Sequence, residues 1–196
     1  MPAGKPGGRG RIVDLREVIN AINYRTRTGC SWEMLPHDFP PKSTVYEHYR
    51  AWQEDGTWQA IHDSLRTKVR ERAGKAATAT AGMLDSQSVK TGTVSGERGY
   101  DAAKKTNGRK RHLLVDTLGL IIAIVITMGS VQDRDSAKLV FADATDQSTL
   151  QKVWADGGYR GKRIAWTQEH YNWDLEIVER RKSEKAKRRK RICVTG

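Results

Sequence analysis

Two short segments of the chain run from apolar residues into an aspartate. Residues 153–155 precede Asp156, and residues 83–84 precede Asp85. Carboxylates that end neighbouring strands can share a divalent cation, because Mg²⁺ takes oxygen ligands and keeps positions free for phosphate. We therefore interpret Asp85 and Asp156 as ligands of Mg²⁺ or Mn²⁺ that acts on a nucleic-acid phosphate. The alternative is that both are turn aspartates, since Asp favours turns for local hydrogen-bonding reasons.

The positive charge of the chain is concentrated near its ends. The formal net charge is +12, and residues 180–191 hold nine basic residues and one acid. Lys5, Arg9 and Arg11 lie near the other end, so the remaining sequence is nearly balanced. A basic tail favours polyanions such as DNA, RNA or anionic lipid. A solvated tail without a function is the alternative.

Several classes of protein are excluded by the composition. The two cysteines, Cys30 and Cys193, are far apart and match neither a disulfide framework nor a zinc-ligand spacing. The first ten residues contain no apolar segment of the kind found in signal peptides. The longest apolar run, residues 118–128, is shorter than the roughly 20 residues that a membrane helix needs. These features predict a soluble, cytoplasmic protein without a membrane partner.

The part of the chain that precedes the aspartates has a helical pattern. Apolar residues recur at helical spacing from Ile12 to Ile22, and Gly29 can end that helix. A second helix is predicted from Lys42 or Ser43 to Glu54. A third helix follows, with an apolar stripe formed by Trp58, Ile61, Leu65 and Val69. Residues 12–72 are therefore predicted to form a helical domain.

Three helices with short connections are typical of a helix-turn-helix-like module. Such modules place one helix in the major groove of DNA. The second helix offers polar side chains for this purpose, namely Lys42, Ser43, Thr44, Tyr46 and Arg50. A plain three-helix packing domain is the alternative, because aromatic stripes belong to cores more often than to ligand surfaces.

The pattern changes after the third helix. Residues 73–82 are small and simple in composition, which indicates a linker. A first strand is predicted at residues 82–85. Residues 92–111 are rich in glycine and basic side chains, and we interpret them as a loop near Asp85 that offers positive charge to a phosphate backbone. A solvated loop is the alternative.

The rest of the chain alternates strands and helices. Strands are predicted at residues 112–116, 120–127, 150–155 and 175–178, and helices at residues 137–144 and 161–170. The short turn at residues 117–119 makes the first two of these strands an antiparallel hairpin. The strand at residues 120–127 is apolar on both faces, which predicts a central position in its sheet. Residues 133–136 are predicted to cap the following helix.

This order of strands and helices matches the ribonuclease H-like fold, in which the first and fourth strands lie side by side. The predicted fold class is therefore α/β, with an N-terminal three-helix, helix-turn-helix-like domain followed by a partial ribonuclease H-like mixed sheet over residues 83–179. Such a sheet would bring Asp85 and Asp156 together. Phosphodiester chemistry with two metal ions requires such a pair of carboxylates.

Several ordered blocks of the sequence resemble the small DDE-type transposases of bacterial insertion sequences, of the IS Five and IS4-like kind. The blocks are residues 16–36, residues 44–47 followed by Trp52, residues 84–90, residues 110–120, residues 133–135 and residues 155–161. The resemblance covers about residues 12–179.

The resemblance implies a set of roles and partners. It implies metal ligation and catalysis by Asp85 and Asp156, with Mg²⁺ or Mn²⁺ as the cofactor. It implies double-stranded DNA as partner, both as the element ends and as the target, and a homodimer. Further phosphate contacts are predicted at Lys90, Lys105, Arg109 and Arg160.

The resemblance is incomplete at the third catalytic acid. Such transposases carry a glutamate on a helix beyond the fifth strand, within a signature of Tyr, Arg, Glu and Lys. The chain has no such block, and Glu184 lies in a different setting. The sequence is therefore expected to be C-terminally truncated or frame-shifted, and the tail at residues 180–196 is either functional or translated out of frame.

Three functions remain open from the sequence. The first is a transposase that binds element-end DNA through residues 12–72 and cuts and joins strands by metal-dependent chemistry. The second is a catalytically inactive DNA-binding fragment that regulates the full-length transposase. The third is a ribonuclease or repair nuclease of the same fold.

Overall fold

The structure, a computed structural model, describes residues 13–91, 96–144, 149–161 and 163–179. Lys5, Arg9 and Arg11, the basic tail and Glu184 lie outside the described residues. The chain forms two compact units, Met1–Val69 and Arg70–Gly196. The division between them falls within the third helix.

The first unit consists of helices whose ends follow from local chemistry. Helix α1 spans Leu15–Thr28 and begins where the Asp14 carboxylate accepts a hydrogen bond from the Arg16 backbone N–H at 2.8 Å. It ends at Gly29, which adopts a left-handed φ of 69° that glycine tolerates without strain. Helix α2 spans Lys42–Glu54 directly after Pro41, and helix α3 spans Thr57–Arg72.

The core of the first unit is formed mainly by α1 and α2. Its buried apolar residues are Val18, Ala21, Ile22, Leu35, Val45 and Trp52. Helix α3 contributes Trp58, which packs against this cluster. The predicted apolar stripe continues along α3, but Leu65 is 55% exposed and Val69 is 46% exposed. The apolar stripe of α3 is therefore buried only in part, since the core ends near Trp58.

The second unit is built on a six-stranded mixed sheet. Its strands are β1 Ala81–Lys90, β2 Gly99–Asp101, β3 Thr106–Asp116, β4 Ile121–Met128, β5 Lys152–Ala155 and β6 Asp174–Ile177. The order runs β3–β1–β5–β6, and both β2 and β4 pair with the outer side of β3. Strands β1 and β5 are parallel, as are β5 and β6, whereas β3 is antiparallel to its partners. The predicted hairpin and the ribonuclease H-like α/β class are confirmed.

Several predicted boundaries differ from the structure. Strand β1 begins inside the predicted linker and continues five residues beyond Asp85, so Asp85 lies in mid-strand and not at a strand end. Much of the predicted basic loop is sheet, because β3 begins at Thr106. Helix α4 spans Asp133–Asp143, so Asp133 belongs to its first turn and is not a preceding cap. Pairing with neighbouring strands overrode the local glycine and charge signals.

Strand β4 occupies an edge and not the predicted central position. Among the described strands it pairs with β3 alone. An irregularity in its register with β3 lets two successive residues, Ile122 and Ala123, join the core, whereas Ile124 and Ile126 are exposed. A continuous apolar run is consistent with a central strand but does not require one.

Helices α4 and α5, the latter spanning Arg163–Tyr171, pack with the sheet around one apolar core. Phe141 of α4 contacts the ring of Trp173 edge-on, with ring centroids 5.4 Å apart. Tyr171 stacks on the same indole at 4.9 Å. Aromatic contacts of this kind fix the helices against β5 and β6. None of the helices in the described part of the chain is long and apolar enough to cross a membrane.

A buried ion pair lies at the far end of the β3–β4 hairpin. Arg70 at the end of α3 is 5% exposed, and its guanidinium pairs with the fully buried carboxylate of Asp116. Asp116 also accepts hydrogen bonds from the backbone N–H groups of Leu118 and Leu120, at 2.8 and 2.9 Å. One carboxylate thereby closes the hairpin turn and holds the start of the second unit.

Candidate metal centre and nucleic-acid interface

The parallel pairing of β1 and β5 determines where the two aspartates lie. Leu84 pairs with Ala155 in the register of the two strands, and Asp85 and Asp156 directly follow these partners. Adjacent strands lie about 5 Å apart, so the two aspartates are neighbours at the point where β5 ends. Both residues are exposed, whereas Leu84 and Ala155 are buried. The sheet therefore places two carboxylates side by side at its surface.

Each carboxylate is oriented by its own backbone. The Asp156 Oδ1 accepts a hydrogen bond from the Gly158 N–H at 2.9 Å and caps the short 3-10 turn Gly157–Tyr159. The Asp85 Oδ1 accepts from the Ser86 N–H at 2.8 Å. A carboxylate has about four lone-pair sites, so one such bond leaves oxygen available for a cation.

The donor set fits a hard divalent cation. Mg²⁺ is commonly held by one or two protein carboxylates and retains several waters. Asp85 and Asp156 supply two carboxylates of this kind in an exposed position, where phosphate could also approach. The described residues contain no group of three or more His, Cys, Asp or Glu side chains arranged to hold a metal ion. The site is thus a two-carboxylate site within the part of the chain that the structure describes.

A layer of buried polar side chains lies close to Asp85 and Asp156, on the face of the sheet that the helices cover. Ser86 of β1 pairs in register with His112 of β3, and both are buried. Two residue pairs further on, the buried Lys110 Nζ lies 3.3 Å from Asp101 Oδ2 and 3.3 Å from Asp133 Oδ1. The core face of β1 and β3 therefore changes from apolar to polar where the two strands pass Asp85, and Lys110 lies beyond that point.

Tyr159 joins this polar layer from the turn after Asp156. Its side chain is fully buried, and its hydroxyl lies near Ser86 without a hydrogen bond of good geometry among the described residues. Burial raises the pKa of the Tyr159 phenol, and the charges of Asp133, Asp156 and Asp85 raise it further. The phenol is therefore neutral and close to three carboxylates.

The imidazole of His112 makes the stability of this layer sensitive to mild acid. Burial lowers the pKa of His112, Asp133 opposes this shift, and Lys110 and Lys104 add to it. An unfolded histidine titrates near about 6.5. As the pH falls below that value, the unfolded chain takes up the proton before the folded chain does, so stability is present above pH of about 6.5 and is lost below it.

We expect the free energy of unfolding in EDTA to fall between pH 7.5 and pH 5, as measured by urea unfolding. A His112→Gln variant, which retains a group that can bond Thr127, should show a flatter pH dependence over this range. The contribution of Asp101 is separate. Although burial opposes it, hydrogen bonds from Ser88 and Lys104 lower the pKa of Asp101, so its contribution is lost only below its unfolded value of about 3.9. If the free energy of unfolding depended on pH equally in the wild type and in His112→Gln, this account of His112 would be contradicted.

The predicted DNA contacts of the first unit lie on α2. Lys42, Ser43, Tyr46 and Arg50 are exposed, and Thr44 is half-buried. Val45 and Trp52 occupy the buried face of the same helix. Lys42 pairs with Glu33, and Arg50 pairs with Glu54 at 2.6 Å. The exposed face of α2 is therefore polar, and acids neutralise two of its cations.

The four predicted phosphate contacts of the second unit lie in separate places. Lys90 is exposed at the end of β1, and Lys105 is exposed in the turn before β3 with a positive φ of 49°. Arg109 lies on β3, where its Nε donates to the Glu97 carbonyl at 3.2 Å. Arg160 follows Tyr159 and pairs with Glu179. Of the four, Arg160 lies nearest in sequence to Asp156.

Sequence reasoning missed the residues beneath the aspartates. The sequence pattern assigns Asp133 to a helix cap and Lys110 to a basic loop, whereas the structure places both in the buried polar layer. The available signal was the strict alternation along β3, since Lys110, His112 and Leu114 fall on one face. A lysine and a histidine that lie on the same face of a strand as a core leucine indicate a buried polar cluster.

Comparisons with known families agree with this architecture. Residues 76–195 match the family described as "Transposase DDE domain". Residues 1–62 match the family described as "Putative transposase of IS4/5 family (DUF4096)". A comparison with curated protein sequences finds no match.

Solved transposase structures are similar at low sequence identity. The piggyBac transposase synaptic complex with hairpin DNA is 15% identical with a TM-score of 0.38, and the alignment covers 54% of this chain and 24% of that one. The Mos1 transposase paired-end complex with left transposon end is 10% identical with a TM-score of 0.32, over 87% of this chain and 61% of that one. The chain thus spans less than two thirds of either relative. The family match at residues 76–195 covers more than half of the chain, so this protein belongs to the family of DDE-domain transposases.

Proposed function

We propose that the chain acts in DNA transposition as an insertion-sequence transposase, whose second unit cuts and joins DNA strands with a divalent cation held by Asp85 and Asp156. The observation that carries this proposal is the register of β1 and β5, which sets these two residues side by side within the matched DDE domain. Two neighbouring exposed carboxylates provide what a phosphate-bound metal ion needs.

The chemistry divides between the cation and the side chains. When bound, Mg²⁺ or Mn²⁺ would activate the attacking oxygen and stabilise the leaving oxygen of a phosphodiester. Asp85 and Asp156 would hold the cation. Their backbone hydrogen bonds to Ser86 and Gly158 orient the carboxylates before any ligand arrives. Preorganisation of this kind reduces the reorganisation needed during the reaction.

Basic side chains supply a second part of the proposed function. Arg160 is exposed four residues after Asp156, and Lys90 is exposed at the end of the strand that carries Asp85. Both could contact the DNA backbone on either side of the cleaved phosphate. Arginine suits this role because its planar fork matches a phosphate in a bidentate manner.

We assign DNA binding to the first unit, through α2. Its polar face offers Lys42, Ser43, Thr44, Tyr46 and Arg50, while its other face is fixed in the core by Val45 and Trp52. A helix held in this way can be inserted into a major groove as a rigid element.

The proposal is tested with the full chain and a labelled duplex that carries the ends of the insertion sequence encoding it. We expect nicking at the ends in Mg²⁺ or Mn²⁺ and none in EDTA. Binding without nicking would instead support the regulatory DNA-binding alternative. Cleavage of RNA or of any duplex, regardless of its ends, would support the nuclease alternative.

The α2 assignment predicts a graded loss of DNA affinity. Arg50→Ala should weaken binding to the end duplex and reduce the slope of log K against log salt by about 1, because one phosphate contact is lost. Fluorescence anisotropy across a salt series measures both quantities. The matched control is Arg16→Ala, an exposed arginine on α1 outside the proposed surface. Equal effects of the two substitutions would refute the assignment to α2.

A further inference from the structure

We propose that Asp133 is a third acid of the cation site, which accepts hydrogen bonds from the waters of a cation bound to Asp85 and Asp156. This inference rests on the proposed function, since it adds a positioning residue to the same site. Asp133 lies in the first turn of α4, distant in sequence from both other acids, and only the tertiary fold brings it to the turn that follows Asp156.

The gap left by Gly158 shows how closely two of the acids approach. A Cβ placed on Gly158 would lie 3.1 Å from Asp156 Oδ1 and 3.4 Å from Asp133 Oδ2. The two carboxylates therefore face the same small space, and the absence of a side chain at position 158 leaves it open. A cation in this space would be attracted by both carboxylates.

The lysine beside Asp133 is already shared. Lys110 Nζ lies 3.3 Å from both Asp133 Oδ1 and Asp101 Oδ2, and it donates to the Val131 carbonyl at 3.0 Å. The Asp133 Oδ1 is buried without a hydrogen bond of good geometry, whereas Oδ2 faces the space beside Gly158. The Lys110 ammonium is thus shared between the carboxylates of Asp101 and Asp133. The Oδ2 atom of Asp133 lies on the side of the proposed cation.

Tyr159 provides an independent indication that a polar ligand belongs here. Its hydroxyl is fully buried, close to the charges of Asp133, Asp156 and Asp85, and without a hydrogen-bond partner of good geometry in the described part of the chain. Buried hydroxyls are normally hydrogen-bonded to protein or to ordered water. A hydrated cation between the acids would bring water molecules within reach of this hydroxyl.

Outer-shell contact suits the arrangement of the three acids. No three such side chains among the described residues are arranged to ligate one ion directly. Mg²⁺ retains several of its waters when bound to one or two carboxylates. Asp133 can therefore act on the cation through those waters, as carboxylates beyond the ligands commonly do.

Titration of the full chain with Mn²⁺ in a calorimeter tests the inference without measuring activity. Asp133→Asn should weaken Mn²⁺ binding about 10-fold, which is the lower end of the range for partners beyond the direct ligands. The matched control is Asp143→Asn, which removes the same charge from an exposed position on the same helix and should leave affinity unchanged. Circular dichroism and the unfolding midpoint report whether each variant folds.

A second pair of variants alters the space and leaves the charges in place. Gly158→Ala adds a methyl group between the two carboxylates and should also weaken Mn²⁺ binding. Gly157→Ala should not, because among the described residues its Cβ would meet only the Arg160 Nε, at 4.0 Å. This pair decides the matter if Asp133→Asn does not fold. Wild-type affinity in folded Asp133→Asn, or in Gly158→Ala, would overturn the inference. Wild-type affinity in Asp85→Asn and Asp156→Asn would instead overturn the proposed function itself.

Discussion

Asp156→Asn is expected to reduce metal-dependent cleavage of the end duplex by at least about 100-fold, and Asp85→Asn should do the same. Each substitution removes one of two neighbouring carboxylates that the β1–β5 register places at the same point of the sheet. Loss of groups that only orient the ligands of a metal already costs about 10–100-fold in metal affinity or activity, so loss of a direct ligand should cost at least as much. Single-turnover cleavage at saturating Mg²⁺ and at saturating Mn²⁺ measures the loss.

The control for this prediction is Asp174→Asn. Asp174 is an exposed acid on β6 whose partner is Lys152, so the substitution changes the net charge of the same unit by the same amount. We expect it to cleave at the wild-type rate. The two site variants should retain wild-type affinity for the duplex in EDTA and unfold at no lower a urea concentration, because removing one of two like charges relieves repulsion. Cleavage by Asp85→Asn or Asp156→Asn at the rate of the control would exclude these residues from the reaction.

The largest loss of stability is expected from Arg70→Ala. Arg70 is nearly buried and donates to the Ala76 carbonyl at 2.8 Å and to the Thr78 carbonyl at 3.0 Å, besides pairing with Asp116. Its removal leaves the fully buried Asp116 carboxylate without its cation. Breaking a buried ion pair from one side costs about 3–5 kcal/mol, mostly because the remaining charge is uncompensated. Urea unfolding followed by circular dichroism measures the change.

Two further variants define the cause of that loss. Lys152→Ala breaks an exposed pair with Glu176 in the same unit, and we expect its unfolding curve to overlay that of the wild type. Replacement of both partners, Arg70→Met with Asp116→Leu, should recover part of the lost stability, because no buried charge is then left alone. The recovery will be incomplete, since Asp116 also accepts from the Leu118 and Leu120 N–H groups. A double variant less stable than Arg70→Ala would contradict this explanation.

The order of elements could be predicted from the sequence. Apolar residues at helical spacing predict α1, and Gly29 ends it as expected. The short turn before β4 required a hairpin, which the structure contains. These are local signals, because hydrophobic period and turn chemistry act over a few residues. The blocks around Asp85 and Asp156 could also be recognised from the sequence, because each is a short run of consecutive residues.

Other features depended on contacts between distant residues. Strand β1 extends to Lys90 because β3 pairs with it along its whole length, and no local pattern in residues 86–90 marks that pairing. Strand β4 lies at an edge although its composition is that of a buried strand. Leu65 and Val69 continue the helical spacing of apolar residues along α3, but they are exposed because the core of the first unit does not extend to them. Burial depends on what packs against a residue, and that partner is not encoded nearby.

The candidate site illustrates the same division. The sequence by itself determined which residues carry the proposed chemistry, since an aspartate after an apolar run is visible without a fold. The tertiary structure decided that Asp85 and Asp156 are neighbours, because only the parallel register of β1 and β5 joins them. It also decided that Asp133 faces Asp156 across Gly158, from a helix whose first turn the sequence presented as an ordinary cap. Side-chain type is a local property, whereas the distance between two charges is a property of the whole packed chain.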